Sequence, residues 1–280
     1  MSKHILITGA TDGIGKESAL QLAGRGHRIS FVARNNDKAN DLADKLRAAG
    51  SPKVQHYLCD LSLMNEISRL SEQLLADLDS IDVLMNNAGA FFAKEEKTAE
   101  GLEKTFALNH LNYFHLTNLL LPLVEKSGGR IINVASRAHN GPQVDLVNIE
   151  GAGGYKGWRA YQQSKLCNIL YTRELARRLE EKQSNVITCS LHPGFVATKF
   201  GHNNAGLMKI GMEFLQKLMA INVHNGAKTQ VYLASTSDGL QNGGYYAKSK
   251  LKLPSEQARD DLTARHLWEL SETYLQRVLN

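Results

Sequence analysis

Cysteine is scarce in this chain of 280 residues. Cys59, Cys167 and Cys189 form neither a Cys-x-x-Cys pair nor any metal-like spacing. An odd, widely separated set excludes a disulfide scaffold and leaves reduced interior thiols as the expectation. His110, His139 and His192 likewise form no His-x-His or His-Glu-x-x-His group, so no metal is expected. Long apolar runs are missing too. The richest, Leu116 to Val124, is interrupted by Thr117, Asn118 and Pro122 and is too short to span a bilayer, so a buried helix is expected there. Met1 to Thr8 runs straight into a strand-like segment, with no room for a signal peptide or an anchor. A cytoplasmic location without an integral membrane segment is expected. Strong charge of one sign is also lacking. Lys plus Arg number 33 against 28 Asp plus Glu, the excess of +5 is spread along the chain, and no nucleic-acid partner is expected. No repeat, low-complexity tract or linker divides the chain, so residues 1–280 read as a single domain.

What is present is an alternation. Short apolar runs at Ile5 to Thr8, Ile29 to Ala33, Val54 to Leu58, Val83 to Asn86, Arg130 to Ala135 and Val186 to Leu191 read as buried parallel strands. A seventh strand is expected at Gly244 to Ala247. Amphipathic stretches near 14–25, 36–49, 63–77, 99–124 and 160–182 have helix length. A last helix is expected from Ser255, as N-cap, to Tyr274. This pattern predicts an α/β, doubly wound Rossmann-type domain with a mostly parallel seven-stranded sheet flanked by helices. Two segments break the rhythm, at about 139–159 and 199–225. Both follow strands on the side where such sheets bind ligands, so both are candidate walls of a substrate pocket. For the second, a helix pair packed on its own core or against another subunit is an equal reading.

Thr8-Gly9-Ala10-Thr11-Asp12-Gly13-Ile14-Gly15 leaves the first strand and enters a helix. Gly9 suits a tight turn, Gly13 a pyrophosphate approaching the helix N-terminus, and Gly15 close packing of helix on strand. The spacing differs from Gly-x-Gly-x-x-Gly and is too short for a phosphate-loop ATPase. Arg34, with Asn35 and Lys38 beyond it, stands where an acidic residue would bind the adenosine ribose. An arginine there suits a 2′-phosphate, although both cations could simply be solvated and Asp12 opposes a doubly charged group. Asp60, followed by Leu61, is placed to accept from an adenine amino group or to cap the next helix. Asn86-Asn87-Ala88-Gly89 ends the fourth strand with small residues that let backbone lie along a ribose.

Tyr161 and Lys165 lie four residues apart at the start of a helical pattern, which puts phenol and ammonium on one face. An ammonium near a phenol favours the phenolate, as an acid/base for an alcohol or ketone requires. Ser136, at a strand end upstream, could hydrogen-bond the same substrate oxygen.

With these residues in order, the chain resembles the short-chain dehydrogenase/reductase family over nearly its whole length. The motifs are Thr8 to Gly15, Asp60-Leu61, Asn86 to Gly89, Asn109, Ser136, Tyr161 with Lys165, and Pro193-Gly194. The resemblance implies a nicotinamide dinucleotide, with Tyr161 as acid/base and Ser136 polarising the substrate oxygen. It implies that Lys165 lowers the Tyr161 pKa and holds the nicotinamide ribose, and that Asn109 keeps a water in a relay through Lys165. Val196 and Thr198 match cofactor contacts beyond Pro193 and Gly194. Within the family, Gly13 to Glu17, Ala33-Arg34-Asn35, Leu108 to Thr117 and the long Ser136-to-Tyr161 stretch resemble the retinol dehydrogenase-like branch. That branch implies NADP(H), with NAD(H) as runner-up, and apolar carbonyl or alcohol substrates. A dinucleotide-binding regulatory or structural protein is the alternative. The apolar helices around 101–123 and 161–182 leave both a homodimer and a monomer open, and burial beneath the long insert is a third explanation for them.

Trp158 and Tyr155 could line an apolar cleft or simply pack the insert, and Phe200, Leu207, Met208 and Phe214 would flank the same cleft. Arg137 and Arg159 are the available clamps for a carboxylate-bearing substrate.

Overall fold

Period-two burial builds the sheet. In β1 (His4–Thr8) every residue is buried. Ile5 and Ile7 nevertheless belong to one hydrophobic cluster while Leu6 belongs to the other, because alternate side chains leave opposite faces. The same holds along β2 (Arg28–Ala33), β4 (Val83–Asn86) and β5 (Arg130–Val134). With β3 (Val54–Leu58), β6 (Ile187–His192) and β7 (Gly244–Ala247), these strands make a seven-stranded parallel array. The computed structural model describes residues 2–141, 143–194, 223–237 and 239–280.

The sheet carries one strand more than the expected seven. β8 (Lys250–Lys252) pairs antiparallel with β7 through a two-residue turn at Lys248 and Ser249. Both turn residues have positive φ, at 52° and 57°. Such a hairpin usually announces itself with Asn-Gly or Asp-Gly, and Lys-Ser gives no such signal. The full order is β3-β2-β1-β4-β5-β6-β7-β8. The chain steps outward from β1 to β3, then returns to place β4 on the other side of β1. The carboxyl ends of β1 and β4 therefore flank the crevice where doubly wound sheets take ligands.

One face of the sheet is covered by α1 (Gly13–Ala23), α2 (Asn36–Ala48) and α7 (Val223–Ser235). The other face carries α3 (Met64–Asp77), α5 (Asn112–Glu125) and α6 (Gly157–Glu181). A short helix, α4 (Lys104–Phe106), leads through a π turn at Ala107–Leu111 into α5. The last helix, α8 (Asp261–Leu279), starts later than expected. Asp260 caps it by accepting from Leu262 N and Thr263 Oγ1. Ser255 instead closes the turn before it, accepting from Ala258 N. Two acidic residues at the true start outweigh the signal at Ser255.

α8 explains why α5 and α6 are apolar on more than one face. Trp268 lies 4.8 Å from Phe114 edge-on and 5.8 Å from Tyr171 in a stacked arrangement. The Arg178 guanidinium covers the outer side of Trp268 at 4.1 Å. The C-terminal helix covers these helices, and the long insert packs on α6 as well, where Gln163 accepts from Asp145 N and donates to Ile149 O. Among the described residues no helix is long and apolar enough to cross a membrane. No cluster of potential metal ligands occurs among them either.

Candidate active site

At the crevice, backbone shape comes first. Gly9 and Gly13 take φ of 66° and 55° to turn the chain out of β1 into α1. A Cβ on Gly15 would stand 2.4 Å from both Asn87 Nδ2 and Gly9 O, and one on Gly9 2.8 Å from Ala88 Cα. The loop is thus pressed against the end of β4. Thr8 Oγ1 accepts from the amides of Asn87 and Ala88 at 2.9 and 3.0 Å. Asn87 Nδ2 donates to Thr8 O and Gly9 O. Its Oδ1 accepts from Gln230 Nε2 at 2.9 Å, and Gln230 Oε1 accepts from Ser18 Oγ. Asn87 is therefore the clamp of the glycine loop. Ser18 and Gln230 escape a local reading because Gln230 sits on α7, far along the chain. The only hint is the apolar spacing of Ala227, Val231 and Ala234 that marks that helix.

The remaining residues of the expected dinucleotide face play mixed parts. Asp12 caps α1, accepting from Gly13 N at 2.7 Å, and Thr11 and Ile14 are partly buried beside it. Asn35 caps α2 by accepting from Lys38 N at 2.9 Å. Arg34 and Lys38 are exposed at the carboxyl end of β2. Asp60 Oδ1 accepts from both Ser62 N and Ser62 Oγ, holding the turn ahead of α3, while Leu61 and Ala88 are buried. Gly194, after Pro193, has φ of 89° and donates its amide to His192 Nδ1. Val196 and Thr198, with Phe200, Leu207, Met208 and Phe214, lie outside the described residues. The last three residues of the expected 199–225 wall open α7.

The fit of this face to a dinucleotide rests on two features. Beyond the Gly13 amide that Asp12 caps, the first turn of α1 offers amides without intrahelical partners. The steric pinning at Gly9 and Gly15 fixes the course of the loop against the end of β4.

Four residues meet on the neighbouring side. Asn109 lies inside the π turn, an irregularity that recurs at functional sites. Glu103 sets up that segment by accepting from Thr105 N and Phe106 N. Asn109 Oδ1 accepts from Ala90 N at 2.8 Å, and its Nδ2 donates to Ala90 O and Ser164 Oγ. Its side chain is thereby committed to protein partners. Ser136, just past β5, accepts at Oγ from Ala138 N at 3.2 Å. Its carbonyl accepts from His139 Nδ1 at 2.8 Å, while His139 Nε2 accepts from Ser255 N at 3.2 Å. That pairing assigns the neutral Nδ1–H tautomer to a histidine whose pKa burial lowers.

Tyr161 and Lys165 sit on the first turns of α6. Gly157 allows that start, since a Cβ there would stand 2.2 Å from Phe92 O. Tyr161 is 8% exposed, and its hydroxyl lies within the influence of the Ser136 side chain, which draws its pKa down. Lys165 Nζ donates to Val134 O at 3.1 Å and, with Asn109 Oδ1, crowds the space over Gly89. Burial pushes the Tyr161 phenol up to about 12 against the opposing influence of Ser136, and pushes Lys165 down to about 7. Burial is thus the largest influence on both groups. Desolvation favours the neutral form of both groups.

Phe91 and Trp158 border Tyr161. Phe91 meets it edge-on at 6.2 Å and Trp158 stacks on it at 5.8 Å. Trp158 is 51% exposed, whereas Tyr155 turns inward to Thr105 Oγ1 and Phe92 O, so Tyr155 packs the insert. A hollow of about 160 Å³ lies in the insert beside Asp145, Tyr155, Arg159 and Gln163. Neither Ser136, Tyr161 nor Lys165 lines it. Cys59, Cys167 and Cys189 are buried, and burial raises all three thiols.

The short chain dehydrogenase family model matches residues 3–206. This chain belongs to the short-chain dehydrogenase family. Human retinol dehydrogenase 11 is 37% identical over 273 residues, covering 96% of this chain and 84% of that protein, which places the chain with the retinol dehydrogenase-like branch. A putative uncharacterized protein from Mycobacterium paratuberculosis has 29% identity and a TM-score of 0.79 over 98% of this chain and 93% of that one. The Pseudomonas aeruginosa RhlG/NADP active-site complex has 25% identity and a TM-score of 0.68 over 87% and 93%. Membership makes this chain an oxidoreductase of alcohol and carbonyl groups.

Proposed function

We propose that this short-chain dehydrogenase interconverts an apolar alcohol and its aldehyde or ketone with NADP(H). The observation that carries the reading is the buried Tyr161 hydroxyl facing Ser136, with the buried Lys165 ammonium over its ring. Bound nicotinamide supplies or accepts the hydride. In reduction, Tyr161 delivers its proton to the substrate oxygen while Ser136 holds that oxygen in place; oxidation returns the proton to Tyr161. Lys165, through its charged form, assists the phenol and holds the nicotinamide ribose. The committed side chain of Asn109 fixes the Ala90 backbone beside Lys165, which would hold the ribose. Gly9, Thr11, Gly13, Ile14 and Gly15 would hold the pyrophosphate, Asp60 and Leu61 the adenine, and Asn87, Ala88, Gly89, Pro193 and Gly194 the adjoining backbone. The test is turnover across apolar aldehydes and ketones. Tyr161→Phe should lose about 10²–10⁴-fold, the range of acid/base catalysis. Normal turnover without the phenol contradicts the mechanism.

The NADP(H) preference rests on Arg34, exposed where a 2′-phosphate would lie, with Lys38 nearby and Asp12 opposing. A charged contact of this kind contributes roughly 1–3 kcal/mol. Arg34→Asp should weaken NADPH far more than NADH, and tighter NADH binding by the wild type reverses the assignment. The aromatic border of Phe91 and Trp158 supports an apolar substrate. A small cleft governed by Arg137 or Arg159 in a substrate complex would point to a carboxylate instead. Reduced, buried thiols suit a cytoplasmic setting. Cover of α5 and α6 by α8 supports a monomer, which light scattering tests.

A further inference from the structure

Lys165 carries three N–H donors but makes one hydrogen bond, to Val134 O. No other acceptor among the described residues takes its remaining two. The ammonium instead lies over two aromatic rings, 5.8 Å from the centroid of Tyr161 and 5.7 Å from that of Tyr113. Both distances fall within the ~6 Å reach of cation–π attraction. Tyr113 is on α5, four residues beyond Asn109, so the two share a helix face turned toward α6. It is fully buried, and its hydroxyl has no hydrogen-bond partner among the described residues. An unpaired buried hydroxyl is a cost that phenylalanine would avoid, so the useful part of this side chain is its ring.

We infer that Tyr113 is a positioning residue for Lys165, its ring forming with that of Tyr161 an aromatic cage that keeps Nζ charged and in place. Among the described residues, the titratable groups facing Lys165 are the phenols of Tyr161 on α6 and Tyr113 on α5. Asn109 Oδ1 and the Val134 carbonyl are its neutral neighbours, and burial alone accounts for the lowering of its pKa. The cage acts against that burial. It matters for catalysis only through the proposed role of Lys165, and so rests on that reading. The cage itself is a property of the protein without substrate or cofactor.

The experiment is an NMR titration of protein labelled with ¹³Cε-lysine, the Lys165 resonance being the one missing from Lys165→Met. Tyr113→Leu should move the Lys165 midpoint down by about one pH unit, the equivalent of a desolvated cation–π contact. Tyr113→Met, which fills more of the space, serves as a second non-aromatic variant and should shift the same way. Tyr113→Phe keeps the ring and should titrate as the wild type does. A Tyr113→Leu or Tyr113→Met protein that loses stability but keeps the wild-type midpoint overturns the cage. So does a Tyr113→Phe shift as large as that of the other two. Failure of the functional reading shows separately, as normal turnover by Lys165→Met with the titration result intact.

Discussion

The two sides of the crevice share one sheet edge but are built on different physics. On the glycine-loop side, function depends on backbone course. Asp12, Asn35 and Asp60 each accept a local hydrogen bond that closes a helix start or turn, and the groups foreseen to meet phosphate, Arg34 and Lys38, stand in solvent. On the Tyr161 side, Asn109, Tyr161 and Lys165 are nearly inaccessible, and burial moves the proton affinities of the last two in opposite directions. A site of the first kind does not tolerate atoms added at its glycines. A site of the second kind tolerates shape changes better than changes of protonation.

The sharpest way to break this contrast is Lys165→Met. Burial holds the folded lysine at about 7 against its ordinary 10.5. Between those values the unfolded chain binds more protons, so this group makes stability rise with pH. Removing it should flatten the curve by roughly 3–5 kcal/mol between pH 7 and 10.5 at about 1.36 kcal/mol per unit. Denaturant unfolding at several pH values reads this directly, and an unchanged slope would mean that solvent reaches Nζ.

Gly15→Ala probes the other side. Its Cβ meets backbone oxygen at 2.4 Å. Overpacking should cost about 1–3 kcal/mol and weaken dinucleotide binding at least about tenfold, by titration of cofactor fluorescence, as each 1.4 kcal/mol is a decade. Gln230→Ala leaves Asn87 Oδ1 and Ser18 Oγ without a partner and should cost about 1–2 kcal/mol in unfolding, with a smaller loss of dinucleotide affinity. As the remote control, Asp260→Ala removes the α8 cap and should cost about 1 kcal/mol without altering dinucleotide affinity.

The sequence exposes these two sides unequally. Strands β1 to β7 and the glycine loop were legible because apolar alternation and punctuating glycines are local signals. The grouping of Ser136, Tyr161 and Lys165 in one place followed from a motif, but their protonation did not. Burial of Lys165 comes from Gly89, Val134 and Tyr113, each on a different element. The clamp from Gln230 through Asn87 spans the sheet for the same reason. β8 was missed because Lys248-Ser249 is an uncommon pair for its turn, and the start of α8 because Ser255 and Asp260 both resemble caps. The cover that α8 gives Phe114 and Tyr171 is a tertiary contact, which an apolar helix face alone cannot assign to a partner.

The most direct test of the whole account follows a labelled hydride. NADPH deuterated at the transferring carbon is offered with a panel of apolar aldehydes and ketones, and the product alcohols are weighed by mass spectrometry. Wild-type protein should leave one deuterium on the former carbonyl carbon, with transfer reduced in proportion to turnover with Tyr161→Phe. Binding of the dinucleotide without label in any product, or equal labelling by both proteins, would contradict it.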